Sequence, residues 1–98
     1  MTISTHFNWR IHMKVYFHGN FEKKYAKLKS GEKKKFKERK AVFIQDPYNP
    51  VLNNHALKGR YKGYRSISIA GDLRVVYKLI RKDGVLFVTI DTHSNLYD

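Results

Sequence analysis

Three runs of alternating side chains, joined by two tight turns, dominate the C-terminal part of this 98-residue chain. Residues 63–70 (GYRSISIA) alternate strictly, a Gly-Asp pair follows at 71–72, and residues 73–80 (LRVVYKLI) alternate again. A Lys-Asp-Gly turn at 82–84 then leads into residues 85–91 (VLFVTID). Alternation with a period of two is typical of strands, and such short glycine-containing turns favour hairpins. The pattern predicts a three-stranded antiparallel meander.

The residues before the meander predict one strand and two helices. Residues 10–17 (RIHMKVYF) mix β-branched and aromatic side chains, as strands do. Asn20 suits the N-cap of a first helix, and Ser30 suits the N-cap of a second one that runs to about Gln45. Pro47 and Pro50 prevent continuation. The apolar stripes that these helices would bury are Phe21, Tyr25 and Leu28 in the first, and Phe36 and Phe43 in the second.

These elements predict an α+β fold in which an N-terminal strand and a two-helix hairpin precede the meander, with both helices on one face of the sheet. We expect residues 1–98 to form one domain, since a chain of this length buries about two-thirds of its surface around one core. Residues 1–8 lack periodicity and are expected to be a loose N-terminal extension.

Alternation also sorts the meander into two faces. Arg65 has the parity of the apolar face, so we expect it at a strand edge or in a local pairing. The apolar face, expected to pack on the helices, collects Ile67, Ile69, Leu73, Val75, Tyr77, Leu79, Leu86, Val88 and Ile90. The second face, expected to stay uncovered, collects Ser66, Ser68, Arg74, Val76, Lys78, Thr89, Asp91 and, if the last strand continues, His93.

A formal charge of +12 and a pI near 10.0 predict a polyanionic partner. Half of the lysines and arginines lie between Lys23 and Lys40, on the two predicted helices. This segment either grips phosphates or forms a solvated outer face, and the sequence leaves both readings open. The chain has no cysteine and no long apolar run, so we expect a cytoplasmic protein without a membrane partner.

The histidines do not predict a metal site. His6, His12 and His18 are too widely spaced and lack cysteine or carboxylate companions at ligand spacing. The sequence also lacks a glycine-rich phosphate loop and a nucleophile elbow. We therefore expect neither a metal nor another cofactor.

Three segments together resemble a known family. HALKG (55–59), KGYRSISIAGDLRVVYK (62–78) and IDTHSNLYD (90–98) are similar to the RelE/ParE superfamily of type II toxins. The nearer branch is that of the YafQ-like and RelE/StbE-like ribosome-dependent messenger-RNA endonucleases, and the resemblance runs from about residue 13 to residue 98. It implies metal-independent cleavage, in which a ribose 2′-hydroxyl attacks the adjacent phosphate. It also implies a protein antitoxin, expected to act through an acidic or amphipathic segment.

The resemblance implies a set of catalytic residues. His93 matches the family's late-strand acid/base residue, Arg74 its central-strand cation, and His55 and Asp72 its loop positions. An imidazole gains or loses its proton near neutral pH, and a guanidinium fork can bind two phosphate oxygens. Tyr97 matches a C-terminal aromatic that can stack on a base. The RNA-binding candidates are Tyr97, Lys78, Ser66, Ser68, Lys58 and Lys62.

One departure from the family concerns residues 66 and 68. The best-known toxin of the YafQ type has an acidic residue and a histidine where this chain has Ser66 and Ser68. Serine is a poor acid or base, so proton transfer would fall to His93, His55 and Asp72. Two alternatives therefore stand beside the nuclease: a decayed, non-catalytic RNA-binding module, and a ParE-like gyrase inhibitor, against which the His93/Tyr97 ending argues.

Overall fold

The computed structural model describes residues 13–97 and has an α+β fold. The elements are β1 (Lys14–Phe17), α1 (Gly19–Ala26), α2 (Ser30–Gln45), β2 (His55–Ala56), β3 (Arg65–Ala70), β4 (Leu73–Arg81), β5 (Gly84–Thr92) and α3 (His93–Tyr97), with 3-10 turns at Pro50–Leu52 and Gly59–Tyr61. The five strands form one sheet with the order β1-β5-β4-β3-β2. Strands β3 to β5 form the predicted antiparallel meander, β2 extends it beside β3, and β1 pairs parallel with β5. The predicted strand, helix hairpin and meander are confirmed.

Some predictions fall on residues that the structure does not describe. The expected extension at residues 1–8 and the first part of the strand predicted at 10–17 lie outside the described residues. Within residues 13–97, no helix has both the length and the apolar character needed to cross a membrane.

Both hairpin helices begin one or two residues earlier than predicted. The Nδ1 atom of His18, rather than the Asn20 side chain, caps α1, and it accepts a hydrogen bond from the Asn20 amide at 3.0 Å. Lys29 is the N-cap of α2, and its amide donates to the carboxylate of Glu32 at 2.9 Å. Both contacts satisfy amides near a helix start that have no partner within the helix. The predicted caps at Asn20 and Ser30 were therefore wrong.

Helices α1 and α2 cover one face of the sheet, as predicted, and Phe87 of β5 lies at the centre of the contact. The Phe87 ring is fully buried, and its centroid lies 5.5–6.1 Å from five other aromatic rings. These rings come from β1, both helices and β4, so one side chain links four elements. The five partners are Phe17, Phe21, Phe36, Phe43 and Tyr77.

A β-bulge at Val88 changes the face assignment along β5. Val76 lies opposite Thr89 and Tyr77 lies opposite Phe87, so Val88 has no partner on β4. One extra residue reverses the alternation, and Phe87 takes the core position that parity gave to Val88. The predicted core positions of Leu86 and Val88 were wrong, since Val85 and Phe87 lie in the core instead, whereas Ile90 lies in the core as predicted.

Leu79 was also predicted to lie in the core, yet its side chain is 64% exposed. Strand β3 begins at Arg65, which pairs with Tyr77, so Leu79 lies beyond the end of β3. Leu79 therefore has a neighbouring strand on only one side, and its side chain remains largely exposed to solvent.

The second face of the sheet is partly covered, contrary to the prediction. Leu96 of α3, Leu57 and Val76 form a small buried cluster on this face. Tyr61 and Tyr64 pack against that cluster. The cover comes from α3 and from the loop after β2.

Candidate functional site

The turn between β3 and β4 holds both Arg74 and His93. The carbonyl oxygen of Asp72 accepts a hydrogen bond from the His93 amide at 2.9 Å. The neighbouring carbonyl of Gly71 accepts one from Nη1 of Arg74 at 2.7 Å. Gly71 has a φ of +49°, a conformation that favours glycine, so the turn depends on that residue. Two adjacent carbonyls thus place a guanidinium and the start of α3 at the same turn.

Helix α3 brings His93 and Tyr97 into contact, because residues four apart lie on one face of a helix. The ring centroids are 4.6 Å apart, and both side chains are exposed. Tyr97 also lies edge-on to Tyr61, with a centroid distance of 6.5 Å. Helix α3 therefore packs on the second face of the sheet, opposite the face that α1 and α2 cover. Strand β5 ends at Thr92, so His93 does not extend the strand but begins α3.

Cations and tyrosines alternate across this face. The guanidinium of Arg60 lies 5.0 Å from the Tyr61 ring centroid, and the ammonium of Lys78 lies 5.5 Å from that of Tyr64. Sequence reasoning singled out Lys78 but missed Arg60, Tyr61 and Tyr64. The signal was present in GRYKGYR at 59–65, where basic and aromatic residues are interleaved. Such a surface can attract a phosphate backbone and stack on unpaired bases.

His55 lies apart from the turn that holds His93. It belongs to β2 at the edge of the sheet, and β3 and β4 separate it from β5. At about 4.8 Å per strand, that places its backbone roughly 14 Å from β5. Its Nδ1 lies 2.9 Å from the carbonyl oxygen of Asn53. A carbonyl can only accept, so Nδ1 is the donor in this contact.

The remaining loop candidates differ in what their contacts show. Asp72 is exposed, and the contact that the structure gives it runs through its carbonyl oxygen, so its main chain serves the turn while its side chain lies at the surface. Lys58 and Lys62 flank the Gly59–Tyr61 turn and are exposed, where phosphates can reach them.

Ser66 and Ser68 have different environments. Ser68 is half-buried and pairs with Arg74 on β4, close to the turn. Ser66 is fully buried, and its hydroxyl finds no hydrogen-bond partner among residues 13–97. The Ser66 side chain is therefore not accessible to RNA in this structure, contrary to the expected contact, and it lies opposite Val76, which belongs to the buried cluster with Leu57 and Leu96.

Replacing Ser66 by alanine should leave activity unchanged and should not destabilise the fold. A buried hydroxyl without a partner costs about 1–3 kcal/mol, so its removal can raise the free energy of unfolding by up to about 1 kcal/mol once the lost packing is counted. Denaturant unfolding of Ser66→Ala beside the wild type measures this. A folded variant with strongly reduced activity would instead give the hydroxyl a functional role.

Asp91 ties α1 and α3 to the end of β5. Its carboxylate accepts hydrogen bonds from Lys24 Nζ at 2.9 Å, Asn95 Nδ2 at 2.9 Å and the Thr92 amide at 2.8 Å. Burial works to raise the pKa of Asp91, but these hydrogen bonds outweigh it and lower the pKa from its ordinary value of 3.8. The charged carboxylate is thus bound more favourably in the folded state than in the unfolded chain.

Replacing Asp91 by asparagine should lower the free energy of unfolding by about 1 kcal/mol at pH 7, a small value because the Lys24 side chain is 45% exposed and screened. Because the pKa of Asp91 is lower in the folded protein than in the unfolded chain, its contribution to stability is complete above the unfolded-state pKa, near 3.8. That contribution is lost as the pH falls through the folded-state pKa. The difference between wild type and variant should therefore shrink below about pH 4. Unfolding curves at pH 7 and pH 3 test this, and an equal difference at both would contradict the assignment.

Arg65 pairs locally on the core side, as its parity predicted. Its Nε donates to Asn54 Oδ1 at 2.8 Å, and its guanidinium lies 5.4 Å from the centroid of Tyr48. Asn54 in turn donates to the hydroxyl of Tyr77 at 2.7 Å. These contacts give Arg65 a structural role at the edge of the core.

The histidines are not arranged as a metal site in the described part of the chain. Residues 13–97 contain no group of three or more His, Asp or Glu side chains placed to hold a metal ion. His18 caps α1, whereas His6 and His12 lie outside the described residues.

Solved structures of toxins share this fold. YafQ from Escherichia coli aligns with a TM-score of 0.73 at 24% identity, over 87% of this chain and 98% of that chain. The E. coli DinJ–YafQ toxin–antitoxin complex gives 0.71 at 23%, over 89% and 99%. The archaeal RelE–RelB complex from Pyrococcus horikoshii gives 0.66 at 20%, over 83% and 94%. At these identities the likeness establishes the fold.

The family comparison covers nearly the whole chain. No match was found among curated proteins. The family described as "Bacterial toxin of type II toxin-antitoxin system, YafQ" matches residues 13–98, which include the meander, the β3–β4 turn and α3. The chain therefore belongs to the YafQ family of bacterial type II toxins.

Proposed function

We propose that this toxin is a metal-independent endoribonuclease that cleaves messenger RNA on the ribosome, in the cytoplasm, and is silenced by a protein antitoxin. One observation carries the proposal: the β3–β4 turn holds the Arg74 guanidinium and the start of α3 through adjacent carbonyls. This arrangement supports a site in which Arg74 supplies a cation for the phosphate and His93 supplies an imidazole for proton transfer.

In the proposed reaction, the ribose 2′-oxygen attacks the adjacent phosphorus and the bond from phosphorus to the 5′-oxygen breaks. The 2′-hydroxyl proton passes to a base, and an acid returns a proton to the leaving 5′-oxygen. The products are a 2′,3′-cyclic phosphate and a 5′-hydroxyl. His93 is our candidate for the acid, and Asp72 on the same turn is our candidate for the base. Arg74 stabilises the negative charge that grows on the phosphorane.

Tyr97 supports this chemistry by holding the messenger. Its ring is exposed beside His93, so a base that leaves the messenger stack can pack on it. A stacking contact of this kind is worth about 1–3 kcal/mol. Lys58, Lys62 and Lys78 supply positive charge along the same face for the neighbouring phosphates.

The antitoxin partner is proposed from the relatives and from the surface. E. coli YafQ was solved in a toxin–antitoxin complex with DinJ, and archaeal RelE was solved in a complex with RelB. Here a mainly apolar groove of about 550 Å³ lies between α1 and α2. Phe17, Phe21 and Ile44 line it, and Lys37 and Lys40 border it. An amphipathic segment with acidic residues would fill the groove and neutralise part of the +12 charge.

A second function, a non-catalytic RNA-binding module, is favoured by the serines on β3. Ser66 is buried and Ser68 carries only a hydroxyl, so β3 supplies no group suited to acid–base chemistry. The basic face and its tyrosines would still bind RNA.

Cleavage in a reconstituted translation reaction separates these functions. We expect the messenger to be cut when ribosomes are present, to stay intact as naked RNA, and to yield 5′-hydroxyl ends. In cells whose growth the toxin arrests, co-expression of a small antitoxin protein encoded next to it should restore growth. Binding without cleavage would favour the module, inhibited DNA supercoiling with intact messenger would favour the gyrase inhibitor, and 5′-phosphate ends would contradict attack by the 2′-hydroxyl.

A further inference from the structure

A second, smaller cavity lies between the Gly59–Tyr61 turn and α3. Its volume is about 220 Å³, and it is lined by Lys58, Gly59, Arg60, Tyr61, Leu96 and Tyr97. Sites that enclose drug-sized ligands usually measure about 300–1,000 Å³, so this cavity suits a single flat ring system rather than a larger molecule. Two of its lining residues are tyrosines and two are cationic.

The side chain of Arg60 holds the two sides of the cavity together. Its Nη2 donates to the carbonyl oxygen of Leu96 at 2.8 Å, which joins the turn to α3. The same guanidinium lies 5.0 Å from the Tyr61 ring centroid and fixes that wall. Leu96 is 3% exposed and packs on Leu57 and Val76, so the floor is anchored to the sheet. The cavity is therefore an open depression whose two sides are joined by Arg60 and whose buried residue, Leu96, is anchored to the sheet.

The cavity adjoins the proposed catalytic residue through Tyr97. The Tyr97 ring lines the cavity and also contacts His93, at 4.6 Å between ring centroids. The Tyr97 ring would thus lie between a ligand in the cavity and the His93 imidazole. A ligand at that distance from His93 corresponds to a nucleotide next to the cleavage position rather than to the reacting phosphate.

We propose that this cavity is a subsite for one unpaired base of single-stranded RNA, next to the nucleotide whose phosphodiester is cut. Every base has a flat aromatic surface that can stack on tyrosine, and the adjoining phosphates are drawn to Lys58 and Arg60. Arg60 acts as a positioning residue that keeps Tyr61 and α3 in place. The proposal rests on the proposed RNA-directed function and names the base contact that this site makes.

Binding of an RNA that cannot be cut tests the subsite. The probe is a fluorescent single-stranded oligonucleotide with 2′-O-methyl groups throughout, which blocks attack by the 2′-oxygen. Anisotropy at low salt should show that Tyr61→Leu, which keeps an apolar side chain without an aromatic face, binds about tenfold more weakly than wild type. Tyr61→Phe keeps the ring and should bind within twofold of wild type. Tyr48→Ala is the matched control, since Tyr48 is 66% exposed and packs on Arg65 at the edge of the core, so its removal should not change the affinity.

Arg60 provides an independent variant if the leucine variant loses its fold. Arg60→Lys keeps the charge but not the planar group that bridges Tyr61 and Leu96, so binding should fall severalfold, whereas Arg81→Lys should bind as the wild type does. Equal affinities of wild type, Tyr61→Leu and Arg60→Lys, including no binding by any of them, would overturn the subsite. Tyr61-dependent binding by a protein that cuts no messenger would overturn the nuclease proposal alone, and efficient cleavage with unchanged binding in Tyr61→Leu would overturn the subsite alone.

Discussion

Replacing His93 by glutamine is expected to reduce messenger cleavage by about 10²–10⁴-fold, the range typical of a removed general acid or base. Glutamine keeps a polar side chain of similar reach but cannot take up or release a proton. The His93 amide bonds to the Asp72 carbonyl through the main chain, so the substitution leaves that link in place. Single-turnover cleavage of messenger on purified ribosomes, measured at neutral pH, gives the ratio of the two rates.

The matched control for His93 is its neighbour Ser94. Ser94 is exposed on the same short helix, so Ser94→Ala should cleave at the wild-type rate. Both variants should unfold at the wild-type denaturant concentration, which separates lost chemistry from lost structure. Cleavage by His93→Gln within threefold of wild type would remove the imidazole from the mechanism and leave α3 with only a binding role.

The closeness of the His93 main chain to the β3–β4 turn was predictable because it depends on local geometry. Short turns fix the register of a hairpin, and register decides which side chains share a face. The His93 amide therefore reaches the turn that also binds the Arg74 guanidinium, even though nineteen positions separate the two residues in the chain. The helix hairpin was predictable for the same reason, since its apolar spacing and the proline at 47 act within a few residues.

The features that escaped prediction depend on contacts between distant segments. Residues 85–90 are apolar at nearly every position, so their pattern contained no sign of the bulge at Val88. The cover over the second face comes from Leu57 and Leu96, which meet across Val76 only once the sheet has formed. His55 resembles a site residue in sequence, but the order of strands puts it at the far edge. The local sequence pattern determines which side chains share a face of the sheet, whereas the topology determines which segments cover each face.

Replacing Arg74 by alanine is expected to slow cleavage by about 10²–10³-fold, the effect of removing one preorganised donor to a developing anion, which corresponds to about 2.7–4 kcal/mol. Nη1 of Arg74 bonds to the carbonyls of Gly71 and Leu73, at 2.7 and 3.2 Å, and this holds the guanidinium plane at the turn. A guanidinium has five N–H donors, so about three remain for phosphate oxygens after those two bonds. The donors are thus oriented before the substrate arrives.

Arg74→Lys separates charge from geometry at this position. Lysine keeps the positive charge but cannot hold a planar fork against the turn, so we expect a rate between those of wild type and Arg74→Ala. If Arg74 acts on the transition state, kcat should fall while KM changes little. Arg81 serves as the control, because it lies at the opposite end of β4 over Tyr16, and Arg81→Ala should cleave at the wild-type rate. A raised KM with unchanged kcat in Arg74→Ala would instead show that this cation binds the messenger equally before and during the reaction.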